Sequence, residues 1–488
     1  MGLFSRFDHF APLPPFVLAM TLFSGCAVVG TPVHPQVTVS ASSHWHALLP
    51  HGGSAVQLAD WWRQFDDPIL VELMETAAAS HPNLHRALAA IQEARATLVL
   101  HQADGRPRVD GSAATLRSGN RNDPTPATGS SVMPEATVYT TALDAKWELD
   151  LFGGLQQATA AATARLTERE DNWHDARVSL AAEVANRYVG YRACRQLQAV
   201  SLRELSSRQE TEQVTDKAVS AGLMPPIDHH LAGAKRSEAA AALTAQQATC
   251  DLTVKALVSL TGLEEPALRT LLHAEPETIP HPATFEVHSL PADLLAQRPD
   301  LVAMERALAA ASADVGVAEA NRYPRLTLLG NLSLSTLDMT HAALTSQPWS
   351  LGPSLMLPLL DGGARSAKVE EARGRYEQAY ARYLGAIRTA VEEVETALVN
   401  LDSIRRRALE AQATTAHYQA YCQATEALYR AGGSSLLTRE EAQRTALNAE
   451  RTEIALQRDQ VLAWITLYKA LGGGWQTTAP STLKEGES

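Results

Sequence analysis

Runs of lysine and arginine, long uncharged apolar stretches, and aromatic rings are all scarce in this chain of 488 residues. With 42 Lys plus Arg against 54 Asp plus Glu, the formal charge is −12 and the basic residues are scattered, which leaves no electrostatic footprint for nucleic acid. An acidic surface or lumen is the simpler reading. Beyond the N-terminus no stretch of about eighteen apolar residues lacks charge, so no transmembrane helix is expected. Aromatics make up only 6% of the residues, so helices built from this sequence can approach closely without bulky interlocking. Of the 4 cysteines, Cys194, Cys250 and Cys422 stand in helical sequence outside any Cys-x-x-Cys pair, and they read as buried small hydrophobes. His81 and His85 stand four apart and His229 adjoins His230, but no cysteine or carboxylate completes a ligand set, so no metal is expected. HExxH, GxSxG, P-loop and EF-hand patterns are all missing, and nothing asks for a cofactor. An enzyme is not expected.

What is present starts with a change of period. In "TTALDAKWELDLFGGLQQATAAATARL" (140–166) apolar or small residues alternate with charged ones up to Leu151, as in a strand with one greasy and one wet face. After Gly153-Gly154 an alanine-rich run without proline continues to Pro225, which predicts a very long helix. The same join recurs in "WSLGPSLMLPLLDGGARSAKVEEAR" (349–373), with Gly362-Gly363 as its hinge. Further anchors align the two halves: "SHPNLHRALAA" with "QRPDLVAMERALAA", "GRPRVDG" with "RYPRLTL", and "SAGL" with "RAGG". The chain is therefore a duplicated unit rather than three unrelated domains.

Each unit holds one hairpin. The first runs from Pro107 to about Ser118 and returns from about Thr137 to Leu151; the second places Leu326, Leu328, Gly330, Leu332 and Leu334 on one face, turns around Met339 to Gln347, and returns near Trp349. Strands of this length fit a tilted bilayer crossing. Trp147 and Trp349 suit an interfacial aromatic belt, with packing at the strand–helix junction as the alternative for Trp147. Tyr376, Tyr380, Tyr383, Ile387, Ala390, Val394, Ala397, Leu401 and Ile404 repeat at 4-3 spacing, and Leu447, Ile454, Val461 and Tyr468 continue the pattern. A helix of about 65 residues spans roughly 100 Å. In "WWRQFDDPIL" (61–70), Asp67 and Pro68 form an N-cap and N1 pair, and Trp61, Trp62 and Phe65 are expected to pack the lead-in segment. Near the N-terminus, Arg6, an apolar run from Phe16 to Phe23 and "LFSGC" resemble a bacterial lipoprotein signal in which Cys26 is acylated; plain export is the alternative. Ala27 after it implies the outer membrane.

Backbone amides in lipid must be paired, so membrane strands have to close into a barrel. Four strands cannot close, since small barrels need about eight, and two chains would leave no channel. Three chains give about twelve strands and an open pore. At the hinges, glycine permits the backbone values that turn a tilted strand onto a helix axis.

Several motifs in order carry a family likeness: "WWRQFDDPIL", "WELDLFGG" (147–154), "RPDLVAMERAL" (298–308), "PLLDGG" (358–363) and the two Ala-Gly breaks. Over about residues 45–475 the chain resembles the TolC-like outer-membrane factors, especially the OprM/NodT-type lipoproteins of tripartite efflux systems. The resemblance implies an α plus membrane-β fold: four strands per chain complete a trimeric 12-stranded β-barrel that continues into a long periplasmic α-helical barrel. Residues 1–25 would be the signal peptide and 26–60 a linker. Segments 61–106, 153–323 and 362–473 would build the helical barrel, 107–152 and 324–361 the membrane hairpins, and 474–488 a flexible tail. It implies as partners a homotrimer, a periplasmic adaptor, an inner-membrane pump of RND type and outer-membrane lipid. The expected function is passive export of small molecules; a type I protein-secretion duct and a structural envelope coiled coil are the alternatives. By the same resemblance, Ala221, Gly222, Ala431, Gly432 and Gly433 mark the periplasmic tips that meet the adaptor, and Asp228 and Glu441 are aperture candidates. The alternative for both acids is a solvated helix start near a positive dipole end. "LMPPIDHH" carries two prolines after the first break, and Thr438 stands where the family often has an acid.

Overall fold

The computed structural model describes residues 61–119, 135–273, 278–282, 298–339 and 342–473. Cys26, the expected signal peptide, the 26–60 linker and the 474–488 tail lie outside the described residues. Along the described chain the helices are α1 (Pro68–Ser80), α2 (Pro82–Asp104), α3 (Gly154–Ser220), α4 (Pro226–Thr261), α5 (Glu265–Leu272), α6 (Pro299–Ala320), α7 (Ala364–Arg430) and α8 (Leu436–Ala470). The strands are β1 (Arg108–Ser118), β2 (Ala136–Leu149), β3 (Arg325–Met339), β4 (Ala342–Ser346) and β5 (Trp349–Met356). They divide between two units. One holds residues 96–164 and 308–378, and the other holds, of the described chain, 61–95, 165–307 and 379–473.

The first unit is an antiparallel sheet with the helix ends that adjoin it. β2 pairs with β1 on one side and β3 on the other, and β3 pairs with both β4 and β5. The fourth strand position is thus filled by two segments interrupted at Gln347 and Pro348. Its return begins at Ala342, earlier than the expected start near Trp349, because Ala342–Ser346 already pair with Ser335–Met339. Helix contacts here are small and close. A Cβ added to Gly154 would lie 3.2 Å from the Ala320 Cβ, and one on Gly316 would lie 2.9 Å from Gln157. Phe152 stacks on Tyr323 with ring centroids 4.8 Å apart.

The second unit is helical, and its core follows the predicted heptads. Tyr383, Ile387, Ala390, Val394, Ala397 and Leu401 are all buried on α7, as are Leu447, Ile454, Val461 and Tyr468 on α8. The lead-in segment packs by aromatic contact: Trp61 stacks on Tyr468 at 4.9 Å and meets Phe65 edge-on at 4.9 Å. Trp62 donates Nε1–H to the Tyr468 hydroxyl at 3.2 Å. Asp67 caps α1 by accepting from Leu70 N–H at 3.1 Å, with Pro68 in the first helical turn. Its other oxygen accepts from the Tyr188 hydroxyl at 2.6 Å, and buried Arg192 donates Nε–H to that same hydroxyl at 2.7 Å.

The cysteine reading needs correction. Cys194 and Cys250 form a disulfide between α3 and α4, with Cα atoms 5.6 Å apart. They face each other because they lie at equal distances along the chain, on either side of Gly222, from the turn of an antiparallel helix pair. Cys422 is the free cysteine among the described residues and is half-buried.

Candidate functional site: sheet faces, hinges and helical tips

Residues directly opposite on neighbouring strands share a face, so the register assigns both faces of the sheet. Leu149 stands opposite Leu326, which faces Leu355; Trp147 opposite Leu328, which faces Pro353; and Ala145 opposite Gly330, which faces Leu351. Leu143 faces Leu332, and Leu332 faces Trp349. On β1 the same face continues through Val109, Gly111 and Ala113. These side chains are not covered: Trp349 is 75% exposed, Leu351 72% and Leu143 51%. The opposite face carries Arg108 against Lys146, Asp110 against Asp144, Asn331 against Asp144, and Ser350 against Asn331. Asn331 donates to Asp144 Oδ1 at 2.8 Å.

The apolar band has an end. From Leu149 to Tyr139 the rungs are apolar or small; beyond it the pattern inverts, with Arg117, Thr137 and Asp338 on the previously apolar face and Leu116, Val138, Leu337 and Leu344 on the other. Eleven residues of β2, 139 through 149, rise about 36 Å along the strand, or roughly 25 Å when tilted by about 45°. That is the height of the outward apolar band of a membrane β-barrel. The first Trp has a junction contact: Trp147 donates Nε1–H to the Gly105 carbonyl at 3.1 Å. Trp349 stands on the Leu143–Leu332 rung, inside the band.

At the strand-to-helix joins the paired glycines do different work. Gly153 has φ 76°, whereas Gly154 is already the first residue of α3 and is constrained by Ala320. Gly362 and Gly363 both have positive φ, at 63° and 90°. An aspartate caps each following helix. Asp150 Oδ2 accepts from Gln156 N–H at 2.8 Å, and Asp361 accepts from Gly363 N–H at 3.0 Å and Arg365 N–H at 3.2 Å.

Both tips end their helices on a glycine in the left-handed region, Gly222 at φ 73° and Gly432 at φ 77°; Gly433 follows without positive φ. Ala221, Gly222, Ala431, Gly432 and Gly433 are exposed, and so are Leu223, Ile227 and Leu437 beside them. The aperture candidates differ. Asp228 stands half-exposed in the first turn of α4 and forms no ion pair among the described residues. Glu441 is exposed and pairs with Arg444 at 2.5 Å, a contact that holds its carboxyl below the usual range. His229 binds Asp216 through Nδ1.

Sequence reasoning missed the acids that are actually engaged near the second tip. Glu440 is buried, accepting from Arg208 and from the Thr211 hydroxyl. Arg439, also buried, reaches Glu426 at 2.6 Å and Glu210 at 3.0 Å. Farther along, Arg451 reaches Glu204 at 2.5 Å and Arg203 pairs with Glu450. Apart from Arg439–Glu426, which joins α7 to α8, these pairs tie α3 to α8 and join residues more than two hundred positions apart, so no local pattern announces them. Only the i, i+4 repetition of acids and bases on both helices hints at it. Elsewhere, His81 Nδ1 accepts from Asn83 N–H at 3.3 Å and His85 Nε2 bonds the Ala79 carbonyl at 3.2 Å. Among the described residues, no three His, Cys, Asp or Glu side chains converge as metal ligands.

Comparison with known proteins agrees with this geometry. The family model for outer membrane efflux proteins matches residues 73–263 and 290–473. The outer membrane protein OprJ of Pseudomonas aeruginosa is 30% identical over 463 residues, covering 94% of this chain and 95% of that protein. The solvent efflux pump outer membrane protein SrpC of Pseudomonas putida is 27% identical, over 96% of this chain and 99% of its own length. The solved structure of the outer-membrane channel OprN superposes with a TM-score of 0.76 at 27% identity, over 90% of this chain and 99% of that one. Because the match takes in both repeats together with the hairpin of each, the chain belongs to the outer membrane efflux protein family.

Proposed function

We propose that three copies of this chain close their sheets into one twelve-stranded barrel and act as the exit duct of a tripartite efflux system. The protein resides in the outer membrane as an efflux channel that extends into the periplasm, and the family is one of transporters. In this reading an adaptor meets the exposed tips at Ala221-Gly222 and Ala431-Gly432-Gly433, and an inner-membrane pump of RND type supplies the energy. The cargo is small molecules, as it is for the relative SrpC, the outer membrane protein of a solvent efflux pump. Cys26, acylated, would add a lipid anchor.

One observation carries the proposal: one face of the sheet stays apolar or small over the eleven residues 139–149 of β2 and their partners, on a sheet whose outer strands β1 and β4/β5 each lack a second neighbour. Such an edge cannot stand open in hydrocarbon, where each unpaired amide costs several kcal/mol. Pairing β1 of one protomer with β5 of the next satisfies both edges at once. Because the hinge glycines lead each hairpin straight into α3 or α7, the strands would open into a helical conduit. The test is reconstitution in planar bilayers. Discrete conductance steps that persist without any energy source support the duct, and a folded, membrane-inserted protein that conducts nothing rejects it.

A further inference from the structure

We infer that the base of the sheet carries an anion-binding site on its polar face, taking the phosphate or carboxylate group of a solute in the duct. The inference rests on the duct reading above, and it starts from an unfavourable pair. Arg108 and Lys146 stand directly opposite each other on β1 and β2, and like charges so placed destabilise a sheet. Arg325 opens β3 on the same face. Together with Arg106 these residues line a cavity of about 420 Å³, closed on another side by Gly154 and Leu155, the first residues of α3. Asp150 caps that helix through Gln156 N–H at 2.8 Å, so the cationic groups of the site are side chains rather than the helix end.

The balance of the cavity is cationic. Two carboxylates share its wall, Asp104 and Glu148, and Asp104 lies 3.8 Å from His101. Arg108 is held by Asp110 at 2.8 Å, and Arg325 by Asn321. Arg106 and Lys146 have no ion pair or side-chain hydrogen bond among the described residues. Two unmatched cations facing one cavity are donors in search of an acceptor. The next charged rung of this face, Asp110 against Asp144, is acidic, so the site is confined to the base.

The face decides the source of the ligand. Arg108, Lys146 and Arg325 point away from the apolar band, which meets lipid, so a dissolved anion rather than a lipid headgroup is the occupant. Inorganic phosphate is the probe, applied to the full protein in bilayers of purely zwitterionic lipid at constant ionic strength. Phosphate should lower chloride conductance saturably, and Arg106→Gln combined with Lys146→Gln should raise the half-saturating concentration by at least about tenfold. Lys146→Arg should retain the wild-type value. Phosphorus NMR of the detergent-solubilised protein should show phosphate line broadening that the double variant loses, which tests binding without any need for conduction. A wild-type protein that does not conduct would defeat the duct reading, while broadening that persists would still support the site. Equal half-saturation in the double variant, or an effect that appears only when anionic lipid is added, overturns the inference.

Discussion

At the scale of the residue, burial decides which charges matter. Arg192 is 1% exposed, and its guanidinium lies 3.7 Å from the Asp67 carboxylate that caps α1. Arg192→Met would leave that acid without its nearest cation and should cost about 3–5 kcal/mol of stability in denaturant titration. Adding Asp67→Asn, which keeps a capping oxygen, should recover a large part of the loss. Asp171 gives a pH dependence. Burial pushes its carboxyl up from 3.8 to about 6; Arg306 opposes the shift, and Glu170 and Glu305 add to it. Between those values the folded chain keeps a proton that the unfolded chain has released, so stability is fullest at the acid end and falls as pH rises through the window. Asp171→Asn should therefore melt with the wild type near about pH 4 and above it near about pH 7. At the first tip, the carboxylate of Asp228 lacks the local cation that Glu441 has in Arg444. If three such carboxylates ring the aperture, Asp228→Asn should lower cation preference in reversal-potential measurements more than Glu441→Ala does.

At the scale of the element, what could be read from the sequence was what is local. The alternation before Gly153, the heptads of α7, and the Asp67-Pro68 start all repeat within a turn or two of themselves, and the structure bears them out. The Gly-Gly joins look alike as text yet differ as backbone, because Gly154 serves a close approach to Ala320 where Gly363 serves a positive φ. The inversion of the sheet faces beyond Tyr139 escaped notice because it shows only once register sets Val138 beside Leu116 and Leu337. The disulfide is the clearest non-local miss, although the symmetric placing of Cys194 and Cys250 about Gly222 was a usable signal. This bridge closes a long loop, and Cys194→Ala with Cys250→Ala should lower stability by about 2–4 kcal/mol. Alkylation of the unfolded, unreduced chain should label Cys422 and spare the bridged pair; labelling of Cys194 or Cys250 would contradict the bridge.

At the scale of the whole molecule, one chain supplies an incomplete object. Its sheet exposes Trp349, Leu351 and Leu355 on one face and charged residues on the other, an arrangement with no stable existence in water or in lipid as an open ribbon. In the proposed trimer, closure would resolve the edges and the faces together, and the same step would create the passage for export. The number of chains per folded particle tests this most directly. Mass measurement of the purified, conducting protein in mild detergent, corrected for bound detergent, should give three copies of the chain. A folded particle of one chain or two that still inserts and conducts would contradict the account.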